Sequence, residues 1–180
     1  MRTLDHIGRV AALLFAVLAS VSLSAQRQAP LSEVTVKAAY VYQFGTYVEW
    51  PPQDPNVAFT ICILGEDPFG RALDELVKDE NISGRPITIR RILETRNTDE
   101  CRILFVSPSE DARLPAILKS LEAKPVLTVG DGMPFLRRGG MIAFTLQDRK
   151  VRFAVNLAAA TSARLMVSSQ LLRHATEVRQ

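Results

Sequence analysis

The sequence predicts an α/β fold, a three-layer sandwich with a mostly parallel sheet, a β-hairpin and a C-terminal helical region. Three observations carry that reading. The runs 59–64 and 103–106 are almost continuously apolar rather than alternating, as strands covered on both faces are. Helical segments separate successive strands, the order that lays helices over both sides of a parallel sheet. After Gly139-Gly140 the period falls to two. Ile142, Phe144 and Leu146, then Val151, Phe153 and Val155, alternate with other residues around Gln147 to Lys150, which predicts a hairpin with one buried face.

The elements follow in order. Ser32 is a good N-cap, and Val34, Ala38, Val41, Phe44/Gly45 and Val48 fall at helical steps, so an amphipathic helix is expected up to Trp50-Pro51-Pro52. Phe59 to Leu64 is the first buried strand. Asp67 as cap and Pro68 at the first helical position predict a helix to about Lys78. Asn81 to Gly84 reads as a turn, Pro86 to Ile92 as the second strand and Arg102 to Ser107 as the third. A helix over about Ala112–Leu121 and a strand over Pro125–Val129 follow, ended by the turn Gly130-Asp131-Gly132. Asn156 caps a C-terminal helical region in which Leu157, Ala160, Leu165 and Leu171 are apolar.

The N-terminus is of another kind. Arg2 and Arg9 precede an apolar stretch from Val10 to Leu23, and the small residues of Ser22-Leu23-Ser24-Ala25 lead into polar Gln26. That order predicts a cleaved secretory signal peptide over 1–25 rather than a membrane span, which needs roughly 20 apolar residues. Residues 26–31 form a flexible lead and 32–180 a single domain, in the periplasm. The net charge of +3 falls to +2 once 1–25 is removed. Such a charge gives no case for nucleic acid, and Arg85, Arg90-Arg91, Arg137-Arg138 and Arg149-Lys150 read as solvated charges.

The chain has two cysteines, Cys62 and Cys101. An even count in an oxidising compartment favours a disulfide, with two buried free thiols as the alternative. Cys62 lies in the first strand and Cys101 just before the third, and such strands are commonly neighbours in a doubly wound sheet. With His174 as the sole histidine after residue 25, neither a zinc ligand set nor a serine-hydrolase base is expected. No P-loop or dinucleotide fingerprint occurs. The chain therefore reads as a binding protein, not an enzyme, without metal or cofactor.

Two groups of residues are candidates for binding. Ligands of open α/β sheets sit at the carboxyl ends of the strands, where Glu66, Asp67, Ser107 and Asp131 fall, with Phe69 just beyond. These residues suit a small polar or cationic ligand, or serve merely as loop and cap residues. The aromatic segment holding Tyr40, Tyr47 and Trp50 suits a protein interface, or simply packs its helix on the sheet.

Val36-Lys37-Ala38-Ala39-Tyr40-Val41-Tyr42-Gln43-Phe44 with Val48-Glu49-Trp50-Pro51 resembles the opening of the YfiR-like family of periplasmic proteins. So do Ile63-Leu64-Gly65-Glu66-Asp67-Pro68-Phe69-Gly70 and Cys101-Arg102-Ile103-Leu104-Phe105. Gly139-Gly140-Met141-Ile142, Phe153-Ala154-Val155-Asn156 and Ser168-Ser169-Gln170-Leu171-Leu172 are similar to its last third. The resemblance runs from about residue 34 to 178, and it implies a regulator. The YfiR-like pattern is restraint of a membrane-bound diguanylate cyclase through its periplasmic sensory domain, which lowers cyclic di-GMP and biofilm formation. An outer-membrane lipoprotein can sequester the regulator, and the regulator can form a homodimer. Cys62 and Cys101 match a family disulfide, whereas a second family cysteine pair has no counterpart here. The alternative is a periplasmic small-molecule-binding sensor domain.

Overall fold

The computed structural model describes residues 32–52 and 54–180. The expected signal peptide and flexible lead, 1–31, lie outside the described residues. Helix α1, Glu33–Tyr47, starts where Ser32 accepts a hydrogen bond from the Thr35 amide at 3.1 Å. It buries Ala38, Val41, Phe44 and Gly45. It ends three residues short of Trp50, because strand β1, Val48–Glu49, pairs antiparallel with β9, Met166–Val167, and that ladder requires extended backbone.

The main sheet has eight strands. Its centre is β2 (Phe59–Leu64), β4 (Arg85–Ile92), β5 (Cys101–Val106), β6 (Leu127–Asp131) and β7 (Ile142–Gln147), all parallel, in the order β4-β2-β5-β6-β7. β3, Asn81–Ile82, closes one edge antiparallel to β4. β8, Lys150–Asn156, forms the hairpin with β7, and β10, Val178–Arg179, adds parallel to β8. The reading of 81–84 as a turn is corrected in part: Ser83-Gly84 turn, but Asn81–Ile82 pair.

Two cores flank the sheet. One joins α1 with α2 (Arg71–Val77), α5 (Leu157–Ser162) and α6 (Ser169–His174) through residues such as Phe44, Leu73, Ala160 and Leu171. The other joins α3 (Leu114–Ser120) and α4 (Gly132–Arg137) through Leu114, Ile117, Phe135 and Leu136. The three-layer expectation holds. β2 and β5 are buried throughout, which is why they read as apolar runs interrupted only by Thr60 and Arg102.

The hairpin departs from its expectation. Ala143 and Ala154 are as buried as Ile142, Phe144, Phe153 and Val155, so both faces are covered near its base. The alanines face the α4 core, where small side chains suffice, and only the tip is open, with Leu146 60% exposed. Helix α4 was not expected at all. Gly130 and Asp131 belong to β6, and Gly132 (φ +76°) turns the chain directly into the helix. A Cβ on Gly130 would lie 2.6 Å from the Phe135 ring, so this glycine is needed for packing, while Gly132 does the turning.

The helix after Asp67-Pro68 starts later than expected. Asp67 accepts from the Phe69 amide at 2.7 Å, and Gly70, at φ +53°, bends the chain before α2 begins at Arg71.

Candidate functional site

The carboxyl ends of β2 and β5 are where a ligand crevice was expected. Here the chain closes on itself. The short 3-10 turn Pro108–Glu110, capped by Ser107, folds over the gap, and Ser109 accepts a hydrogen bond from the Glu66 amide at 3.0 Å. Gly65 (φ +88°) touches this turn so closely that an added Cβ would sit 2.5 Å from Ser109 Oγ and 2.8 Å from Glu110 Cγ.

Asp67, Asp74, Glu110 and Asp131 at this end are each engaged by a cation. Asp67 pairs with Arg91 Nε at 2.8 Å, Asp74 receives Arg91 Nη1 at 3.1 Å, and Glu110 pairs with Arg113. The Arg91 hydrogen bonds hold the Asp74 carboxyl below the usual range, against the opposing effect of burial, and Arg91 itself is held firmly protonated. Asp131 turns to α1, where Lys37 Nζ bridges it and Glu33, both at 2.7 Å. Burial works against the Lys37 ammonium, but hydrogen bonds to Asp131 and then Glu33 outweigh it and leave its pKa raised. Of the residues expected to bind here, Phe69 is a core residue. It is 3% exposed and set edge-on to Phe105 at 4.8 Å between ring centres. Ser107 is likewise buried, as a cap. Glu66 is exposed on the loop.

The aromatic segment divides between two places. Tyr40 and Tyr47 border a groove of about 300 Å³ between α1, β8 and α6, whose rim carries Arg152, Gln170 and His174. Tyr40 packs on Phe44 and edge-on to Phe153, with centroids 6.0 and 5.4 Å apart, which fixes its ring. The Tyr47 hydroxyl accepts from Gln170 Nε2 at 3.3 Å, tying α1 to α6. The groove thus joins an apolar floor to hydroxyl, amide and cationic groups, a composition that suits a protein or small-molecule contact. Arg152 and His174 were not anticipated there. Their only sequence signal was their place beside the hairpin and at a helix end, which says nothing of convergence.

Trp50 lies elsewhere, beside a cavity of about 510 Å³ at the amino ends of the strands. It stands edge-on to Phe59 at 5.2 Å and donates from Nε1 to the Arg102 carbonyl at 3.2 Å. Arg85, expected as a solvated charge, is instead half-buried, with its guanidinium 5.8 Å from the centre of the Phe59 ring.

Cys62 and Cys101 form a disulfide, with Cα atoms 5.8 Å apart, between the neighbouring strands β2 and β5. Among the described residues no cluster of His, Cys, Asp and Glu is set to hold a metal ion, and no helix is long and apolar enough to cross a membrane.

Residues 34–176 match the model of a family described as YfiR/HmsC-like. No curated protein matches the chain. Among solved structures, a conserved domain protein from Vibrio cholerae O1 biovar El Tor is similar at 11% identity and TM-score 0.53, over 83% of this chain and 61% of that one. That is a likeness of fold. The ABC domain in complex with L-Trp from Streptococcus pneumoniae is similar at 10% identity and TM-score 0.48, over 67% of this chain and 55% of that one.

Proposed function

The chain belongs to the YfiR/HmsC-like family, and from that premise we propose that it binds the periplasmic domain of a membrane-bound diguanylate cyclase and inhibits it. At family level, membership supports a periplasmic regulator of a diguanylate cyclase, acting by contact rather than by catalysis. The finer reading has four parts: export by a signal peptide cleaved after about residue 25, direct binding of the cyclase, release by an outer-membrane lipoprotein, and a homodimeric regulator. Inhibition requires only that the protein bind the inactive cyclase conformation better than the active one.

The single observation that carries the reading is the family match across 34–176, nearly all of the domain. The Tyr40–Tyr47 groove is the surface we assign to the cyclase contact. It combines fixed aromatic rings with Arg152 and His174 at its rim, a mixture enriched at protein interfaces. Deleting the gene should raise cyclic di-GMP and biofilm formation, and a copy carrying Tyr40→Ala and Tyr47→Ala should fail to restore either. Unchanged cyclic di-GMP in the deletion strain rejects the regulatory role. Full restoration by the double variant rejects the groove alone.

A further inference from the structure

We propose that the cavity beside Trp50 binds a small organic carboxylate, whose charge pairs with Arg85 and whose apolar body lies against Trp50 and Pro52. This site is separate from the Tyr40–Tyr47 groove and does not depend on the regulatory reading.

The starting point is an imbalance of charge. Arg102 is 4% exposed, and its Nε has no hydrogen-bond partner among the described residues. The register of β5 against β2 slips between Thr60 and Ile61, which pair with Cys101 and Ile103, so Arg102 is the extra residue of a bulge. Its neighbour in charge is another cation. Burial first, and then the charge of Arg85, weaken the hold of Arg102 on its proton. Neither arginine forms an ion pair with an acid among the described residues. Among the described arginines without an acid partner, Arg102 stands apart because it is buried.

A guanidinium on the cavity wall, with a second, buried one behind Trp50 and no acid paired to either, favours an anion there. Arg85 is the one that reaches it, since it lines the cavity. Its position is set by the Phe59 ring. Glu49 also lines the cavity and opposes an anion, but it is exposed, and one carboxylate leaves the two arginines in excess.

The walls narrow the ligand class. Trp50, Pro51 and Pro52 give the cavity its exposed apolar surface, over the buried Phe59 and Ile82. Trp50 is held by its hydrogen bond to the Arg102 carbonyl and by its edge contact with Phe59, so little ordering is left for binding to bring about. One guanidinium in reach can meet a carboxylate with two parallel hydrogen bonds. A phosphate dianion would call for more donors than this wall offers. A monocarboxylate with a compact apolar body therefore fits best.

Trp50 is the only tryptophan in the chain, so its fluorescence reports on this cavity alone. The test titrates the purified exported protein with cyclohexanecarboxylate and, separately, with its neutral amide, neither of which absorbs with tryptophan. The carboxylate should give a saturable change in Trp50 emission and the amide none. Arg85→Gln should weaken carboxylate binding about tenfold or more through loss of the charged pair. Glu49→Gln, an exposed change that should not disturb folding, should tighten it. Circular dichroism confirms that each variant is folded.

No saturable change up to about 10 mM carboxylate overturns the proposal, as does equal binding of the amide or unchanged binding by folded Arg85→Gln. A blocked peptide with one glutamate among leucines gives the last arm. If only that peptide binds, and Arg85→Gln abolishes it, the anion belongs to a protein side chain and the small-molecule proposal falls.

Discussion

The two ends of the parallel sheet treat charge in opposite ways. At the carboxyl ends of the strands, Asp67, Asp74, Glu110 and Asp131 each have a cationic partner, and the 3-10 turn after Ser107 fills the gap between β2 and β5. At the amino ends, Arg85 and Arg102 have no acid partner among the described residues, and Arg85 lines a cavity of about 510 Å³. Open α/β sheets ordinarily bind at the carboxyl end. In this protein the chain itself fills the gap between β2 and β5 at that end, and a buried arginine without an acid partner lies toward the other. The topology permits a site at the usual place, but the side chains decide whether it stays open.

The largest way to disturb this contrast is to remove the disulfide, which ties Cys101 at the amino end of β5 to Cys62 within β2. A bridge between residues 39 apart should contribute about 4 kcal/mol in the chain-entropy account. The Cys62→Ala/Cys101→Ala double variant should lose that much in urea unfolding. The amino end should also loosen first, so Trp50 emission should shift to the red before helical content falls. Coincident transitions would show that the two ends share one cooperative unit.

Next in size is Gly65→Ala at the sealed end. A left-handed backbone and a Cβ 2.5 Å from Ser109 Oγ should together cost about 2–3 kcal/mol. A loss below ~0.5 kcal/mol would mean that the 3-10 turn yields easily and the carboxyl end is not closed.

The contrast is sharpest in a pair of arginine substitutions. Arg113→Met leaves the Glu110 carboxylate, only 10% exposed, without its cation, and should destabilise by about 1–3 kcal/mol. Arg102→Met removes a buried cation that has no partner, and should be neutral or stabilise by about 1 kcal/mol. Thermal midpoints moving in opposite directions uphold the asymmetry. If Arg102→Met destabilises as much as Arg113→Met, the amino end is paired after all and the contrast is lost.

Most of the fold is legible in the sequence because it rests on local pattern. The apolar runs of β2 and β5, the Ser32 and Asn156 caps and the period-two hairpin all state their structure within a few residues. Where the reading failed, a distant partner decided. Val48–Glu49 leaves the helical pattern because Met166–Val167 lies alongside, more than a hundred residues further on. The sites are less legible for the same reason. Tyr40, Tyr47 and Trp50 share one segment yet reach two different cavities. Phe69 reads as a loop aromatic until Phe105 is found against it. Arg102 gives no signal at all, since only the bulge and the company of Arg85 make it unusual.

The smallest prediction tests the paired end by pH. Asp74 is held below its usual pKa of 3.8 by the hydrogen bonds from Arg91. A carboxyl depressed on folding stabilises the protein above its unfolded value, and that contribution is lost as pH falls through the still lower folded value. Asp74→Asn should therefore cost on the order of 0.5 kcal/mol at neutral pH, since the pair is largely solvent-screened with Asp74 44% exposed. The gap between wild type and variant should begin to narrow as the pH falls below about 4 and close below the lower folded value, where both carry a neutral side chain. High salt should narrow the gap at neutral pH as well. A difference that persists unchanged at pH 2.5 would make the Asp74 contribution one of packing or capping, and Arg91 would then owe its place to Asp67 and the Gly70 carbonyl alone.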